Sequence, residues 1–242
     1  MSRSVAAPGS TSGTEYLESV ENTLVPLSIG VLISGRGSNL QALIEAQRDG
    51  RLDGTIALVI SNRPEATGLE RARAAGIETL VLPHTGFASR EEYDDALIHQ
   101  LRRRRVKLVC LAGFMRRVSQ RFCEAFPNAI LNIHPSLLPA FPGEQAQRQA
   151  LEHGVKTTGA TVHFVTAEVD AGPIILQEAV PVRDDDTVET LSERILAVEH
   201  RIYKQALRWA AEGRLHVEGR TCRVDLESGE RTWVFSEPET AR

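Results

Sequence analysis

Leu27-Ser28-Ile29-Gly30-Val31-Leu32-Ile33-Ser34 is a short apolar run that passes straight into Gly35-Arg36-Gly37-Ser38-Asn39-Leu40. It has the length and composition of a buried strand. From Ser38 to Arg48 the apolar residues fall at Leu40, Leu43 and Ile44, one face of a helix. Strand, glycine-rich turn and helix form the opening unit of an α/β sheet. At such a turn the amides of a helix N-terminus can face an anion, and glycine lets that anion come close to the main chain. The turn is not a dinucleotide fingerprint, because Leu40 stands at the third glycine position and the next strand ends in Ser61-Asn62 rather than in an acid. It is not a P-loop either, since no Gly-Lys-Ser/Thr follows. A small anion site remains, most simply for a phosphate monoester. A plain tight turn capped by Ser38 is the alternative.

The same rhythm continues outward. Thr55–Ser61 reads as a second strand, Gly68–Ala75 as a helix, Glu78–Leu82 as a third strand and Lys107–Leu111 as a fourth. Between the last two lies a long helix over Ser89–Arg105, with Ser89 and Glu92 spaced as a capping box. Asn128–Ile133 is the fifth strand, and the Pro- and Leu-rich loop His134–Pro142 follows. A helix near Ala146–His153 precedes two β-rich runs, Thr158–Thr166 and Pro173–Val182, close enough to pair antiparallel. A helix from Thr187 to about Glu212 stops at Gly213, and short β-like pieces fill Leu215–Phe235. The expected fold is α/β, a doubly wound, mostly parallel twisted sheet with an antiparallel C-terminal extension. Residues 1–24 are expected to be a loose tail and 25–242 a single domain.

Composition narrows the functional classes. The chain has 242 residues, 42% hydrophobic and 25% charged, which suits a globular protein. A net charge of −4 gives no global field toward nucleic acid or anionic lipid. Of the 28 basic residues only Lys107, Lys156 and Lys204 are lysines, so the positive charge is mostly planar guanidinium, suited to phosphates and carboxylates. Cys110, Cys123 and Cys222 are odd in number and far apart, with no zinc spacing and no disulfide framework. No apolar stretch reaches membrane-spanning length. A reducing, cytoplasmic setting is expected.

Asn132 and His134 sit at the carboxyl end of the fifth strand, the edge at which open α/β sheets bind ligands. Strand alternation puts both on one side, where an amide and an imidazolium can aim at one oxygen. Asp170, in the turn Asp170-Ala171-Gly172-Pro173, is the candidate to hold the imidazole in its charged form. For each residue alone, a structural histidine or a turn-forming aspartate is the competing reading.

Four segments together resemble the phosphoribosylglycinamide formyltransferases: Val31–Gln41, Leu111–Arg116, Leu131-Asn132-Ile133-His134-Pro135-Ser136-Leu137-Leu138-Pro139, and Val162-His163-Phe164-Val165 with Asp170–Pro173. The likeness runs from about Leu27 to Leu215. The Asn-x-His-Pro-Ser-Leu-Leu-Pro string belongs to 10-formyltetrahydrofolate enzymes at large, and the Gly-x-Gly-Ser-Asn turn with Glu199-His200 narrows it to the glycinamide branch. The resemblance implies a Rossmann-like formyltransferase fold with a phosphate-binding half (25–133), a folate and catalytic half (134–215) and a tail (216–242). Asn132, His134 and Asp170 would be catalytic, and His163 would support them. Gly37, Ser38, Asn39 and Glu199 would hold the phosphorylated glycinamide. Arg90 and Met115, Arg116, Arg117 and Val118 would line the folate site, with Thr166, Ala167, Glu168, Val169 and Asp170 closing over the pterin.

The resemblance further implies 10-formyltetrahydrofolate as co-substrate, no metal, no nucleic-acid or membrane partner, and a monomer or homodimer. Glu144-Gln145-Ala146-Gln147 departs from relatives that carry histidines there. The run Arg102–Arg105 reads as a solvated helix end. A 10-formyltetrahydrofolate hydrolase is the nearest rival, although the residues before the first strand are too few for its regulatory domain. Methionyl-tRNA formyltransferase would need a further C-terminal domain and a basic surface. A non-catalytic nucleotide-binding module would explain the glycine turn but not the convergence of Asn132, His134 and Asp170.

Overall fold

The structure, a computed structural model, describes residues 26–235. The expected tail over 1–24 and the end of the chain from 236 lie outside the described residues. In chain order the elements are β1 (Leu27–Ile33), α1 (Ser38–Arg48), β2 (Gly54–Ser61), α2 (Gly68–Ala74), β3 (Thr79–Val81), α3 (Arg90–Arg103), β4 (Leu108–Leu111), α4 (Gln120–Ala125) and β5 (Ile130–His134). They continue with α5 (Ala146–Glu152), β6 (Thr157–Phe164), β7 (Ile174–Pro181), α6 (Val188–Ala211), β8 (Leu215–Glu218), β9 (Thr221–Val224) and β10 (Trp233–Phe235). One sheet holds these strands in the order β3-β2-β1-β4-β5-β6-β7-β9-β8, with β10 also on β7.

The first five strands are parallel throughout. β6 runs against both β5 and β7, and β8 against β9. β9 and β10 nevertheless lie parallel to β7, so the C-terminal extension is mixed rather than wholly antiparallel. Alternation along β1 explains the two layers. Ile29, Val31 and Ile33 face a core shared with α1, α2 and α6, whereas Leu32 faces the core under α3 and α4. Helices on both faces make the sheet doubly wound, as the sequence rhythm predicts.

Local chemistry sets the element ends. Pro83 has no N–H to extend β3, which is shorter than the Glu78–Leu82 run predicts. Ser89 caps α3 by accepting from the Glu92 amide, but the Glu92 carboxylate reaches back to the Ala88 amide, not to Ser89. Thr187 and Thr190 form the reciprocal box at the start of α6. Gly37, with φ at 68°, precedes α1, and Ser38 is not the cap. A Cβ on Gly37 would stand 2.7 Å from Gly68 Cα, so this turn takes glycine twice over. The arginine run is not uniformly solvated: Arg104 pairs with Glu78, and its carbonyl accepts from Ser28 Oγ.

Tyr203, fully buried on α6, sets its hydroxyl 3.0 Å from the carbonyl of Leu111, the last residue of β4, and 3.1 Å from that of Leu131 in β5. α6 is thus tied to β4 and β5, the strands that lead to the polar residues. Tyr203→Phe is expected to destabilise the fold by about 1–2 kcal/mol through the lost buried hydrogen bonds. A fall in Tm of roughly 2–8 °C should register in a thermal melt.

Candidate functional site

The carboxyl ends of β1, β4 and β5 open onto a cleft of about 1320 Å³. Its wall brings together Gly37, Ser38, Asn39, Met115, Arg116, Arg117, Val118, Asn132, His134, His163, Glu199 and the whole Thr166–Asp170 loop. Arg90 is the one sequence-predicted site residue that does not line it; it is exposed in the first turn of α3. The departing residues Glu144, Gln145 and Gln147 also reach the cleft.

At the sheet edge the chain builds a compact polar cluster. Asp170 takes a left-handed backbone, φ 51°, and its Oδ2 accepts from the Gly143 amide at 2.8 Å. The same oxygen lies 3.3 Å from His134 Nδ1. Gly172 lets this turn hug β6, because a Cβ there would fall 1.9 Å from the Phe164 carbonyl oxygen. The other ring nitrogen, Nε2 of His134, is 2.8 Å from the Phe141 carbonyl oxygen. The two ring nitrogens of His134 thus lie beside a carboxylate and a carbonyl. Nε2 faces the Phe141 carbonyl, a partner that the reading from strand alternation did not include. The His134–Pro142 loop folds back and presents a carbonyl that no local sequence pattern foretells.

His163 explains how Asn132 is oriented. Its Nδ1 donates to the Phe164 carbonyl at 2.8 Å, and burial pushes its pKa down and keeps the ring neutral. Nε2 is then an acceptor, 3.2 Å from Asn132 Nδ2. One N–H of the Asn132 amide is spent on His163 and the other is left for the cleft.

Beside the glycine turn, the α1 amides face the cleft with no acid in the first helical turn. Asn39 Nδ2 donates to Glu199 Oε2 at 2.7 Å, while Asn39 Oδ1 is buried with no partner among the described residues. Among the further buried polar groups that sequence reasoning missed are Ser34, Asn62 and Asp94. Ser34 and Asn62 each stand at the end of an apolar strand run, whereas Asp94 lies among Glu91, Glu92 and Asp95 and gave no signal of burial. Cys110 is fully buried in β4, which pushes its thiol up to about 12 and leaves it unreactive.

Burial raises the Glu199 carboxyl from 4.5 to about 7, against the lowering effect of Asn39. The unfolded chain loses this proton near 4.5 and the folded chain near 7, so the group costs nothing at lower pH and costs stability as pH rises between the two values. The full gap corresponds to about 3 kcal/mol. Relative to the native chain, Glu199→Gln should therefore gain about 1–3 kcal/mol between roughly pH 5 and pH 8. Denaturant unfolding at the two pH values checks this, and a constant difference would contradict it.

The formyl transferase family profile matches residues 27–207. Phosphoribosylglycinamide formyltransferase of Escherichia coli is 47% identical over 199 residues, 82% of this chain and 94% of that protein. Glycinamide ribonucleotide transformylase 1 from Symbiobacterium toebii superposes with a TM-score of 0.81 at 61% identity, covering 82% of this chain and 93% of that one. The human trifunctional purine biosynthetic protein adenosine-3 is 48% identical over 86% of this chain, which spans only 20% of that protein's length. The chain belongs to the formyl transferase family, among the phosphoribosylglycinamide formyltransferases.

Proposed function

We propose that the protein transfers the formyl group of 10-formyltetrahydrofolate to the amine of 5'-phosphoribosylglycinamide, a step of de novo purine synthesis. The observation that carries this reading is the convergence of Asn132, His134 and Asp170 on the cleft that also holds the glycine turn. The α1 amides with Gly37, Ser38 and Asn39 receive the phosphate, and Glu199 with Asn39 meets the rest of the phosphorylated substrate. The donor lies along Met115–Val118 under the Thr166–Asp170 loop, with Arg90 beyond the cleft wall. Met115 suits a flat ring system, being 64% exposed where a folded core gives no reason for a large apolar side chain.

The amine attacks the formyl carbon, a new C–N bond forms, and the carbonyl oxygen takes up negative charge. Asn132 donates its remaining N–H to that oxygen, and His134 places positive charge beside it. Asp170 holds His134 in place and, through a water, moves the proton from the attacking nitrogen to N10 as the old C–N bond breaks. His163 keeps the Asn132 amide turned for this work.

Asp170→Asn should lower kcat by at least about 100-fold in a protein that still folds. Absorbance of the deformylated folate gives the rate and circular dichroism the fold, and a near-native kcat would remove Asp170 from the mechanism. Ser38→Asp sets a negative charge against the phosphate, so KM for the glycinamide should rise by about tenfold or more. Formate release without glycinamide would point instead to a hydrolase.

A further inference from the structure

Gly113–Val118 joins β4 to α4 as neither strand nor helix, so its backbone groups need partners from elsewhere. Two buried side chains supply them. Ser34, just beyond β1, donates its amide to the Gly113 carbonyl at 3.1 Å and accepts from the Met115 amide with Oγ at 2.8 Å. Asp94, on α3, accepts from the Ser119 amide with Oδ2 at 2.6 Å, and Ser119 in turn caps α4. Between these two points Arg116 lies 5.3 Å over the ring of Tyr93, the neighbour of Asp94.

The pins are themselves held. The Ser34 hydroxyl donates to Asn62 Oδ1 at 2.6 Å, and Asn62 Nδ2 reaches His84 Nδ1 at 3.3 Å. Asp94 is 1% exposed on a helix face otherwise made of Tyr93, Leu97, Ile98 and Leu101. A carboxyl there is expensive to bury and does not serve the core. Met115 and Arg117 point outward while the backbone bonds point inward, so the anchoring and ligand-facing sides of the segment are separate.

We infer that Ser34 and Asp94 are positioning residues that fix the 115–119 segment in the shape that receives the folate donor. The inference rests on the assignment of that segment to the donor in the proposed function. Neither residue touches the reacting atoms, so loss of either acts on donor binding rather than on the chemical step. Ser34 adjoins the glycine turn, but its hydroxyl is engaged by Asn62 and the Met115 amide, so binding of the other substrate is expected to be unaffected.

The test compares Ser34→Ala and Asp94→Ala with the conservative Ser34→Thr and Asp94→Asn, each of which keeps an acceptor. Both alanine variants should raise donor KM by about tenfold, with kcat changed by less than about threefold and glycinamide KM unchanged. Amide hydrogen exchange should quicken by about tenfold or more at Met115 in the first and at Ser119 in the second. The conservative variants should restore both readouts. Folded alanine variants with native donor KM would overturn the inference, as would a fall in kcat without a rise in donor KM. If Asp94→Ala does not fold, Ser34→Ala decides, since it removes a single oxygen. Met115→Gly separates the two levels of the argument. If it leaves donor KM unchanged, the donor assignment itself fails; if it raises donor KM while the pin variants do not, only the pinning fails.

Discussion

Asp170 delivers its carboxylate between the Gly143 amide and the His134 ring, from a backbone conformation that non-glycine residues rarely adopt. Left-handed φ values recur at Phe141 and Gln145 in the segment that meets this carboxylate, and elsewhere at Arg105 and Asn128. Such strain persists only where surrounding contacts over-determine the backbone. Here one acid meets the Gly143 amide and a ring nitrogen at once, which joins the loop after β5 to the loop after β6. The relation between His134 and the Thr166–Asp170 wall opposite it depends on that junction.

The loop after β5 is fastened to the sheet as well as to Asp170. Thr161 Oγ1 donates to the Ser136 carbonyl at 2.7 Å and accepts from the Leu138 amide at 3.1 Å. Gln177 Nε2 reaches both Thr161 Oγ1 and the Leu138 carbonyl at 2.9 Å. β6 and β7 therefore form the platform on which a loop without regular structure becomes rigid. This gives the reversal of β6 a purpose, since it sets His163 opposite Asn132 in the antiparallel register. Electrostatic catalysis works through groups oriented before the substrate arrives, and every polar group here has its direction set by a neighbour.

The second half of the cleft depends on α6. Its apolar face, including Leu191, Ile195, Ile202 and Leu207, is buried against the sheet, and Glu199 shares that buried side. The helix thereby brings a carboxyl from 160 residues away onto Asn39 of the glycine turn. The two residues have no local reason to meet. A buried acid paired with a neutral amide costs stability as its carboxyl ionises, so the pair is not explained by the stability of the fold.

The sequence alone determined the strands and helices of the parallel half, because apolar period and turn chemistry are local properties that a single chain displays openly. Leu27–Ser34, Thr55–Ser61 and Ser38–Arg48 could be read for that reason, and so could Asn132, His134 and Asp170, whose spacing in a recognisable string carried the resemblance. The parallel run of β9 and β10 beside β7 was not legible, since pairing direction is decided by strands far apart in the chain. Nor was the partner of His134 Nε2, the neutral state of His163, or the burial of Ser34 and Asp94. Hydrogen-bond partners and desolvation are properties of the packed interior, where groups separated by 25 to 160 residues share one dielectric environment, and only the tertiary structure brings them there.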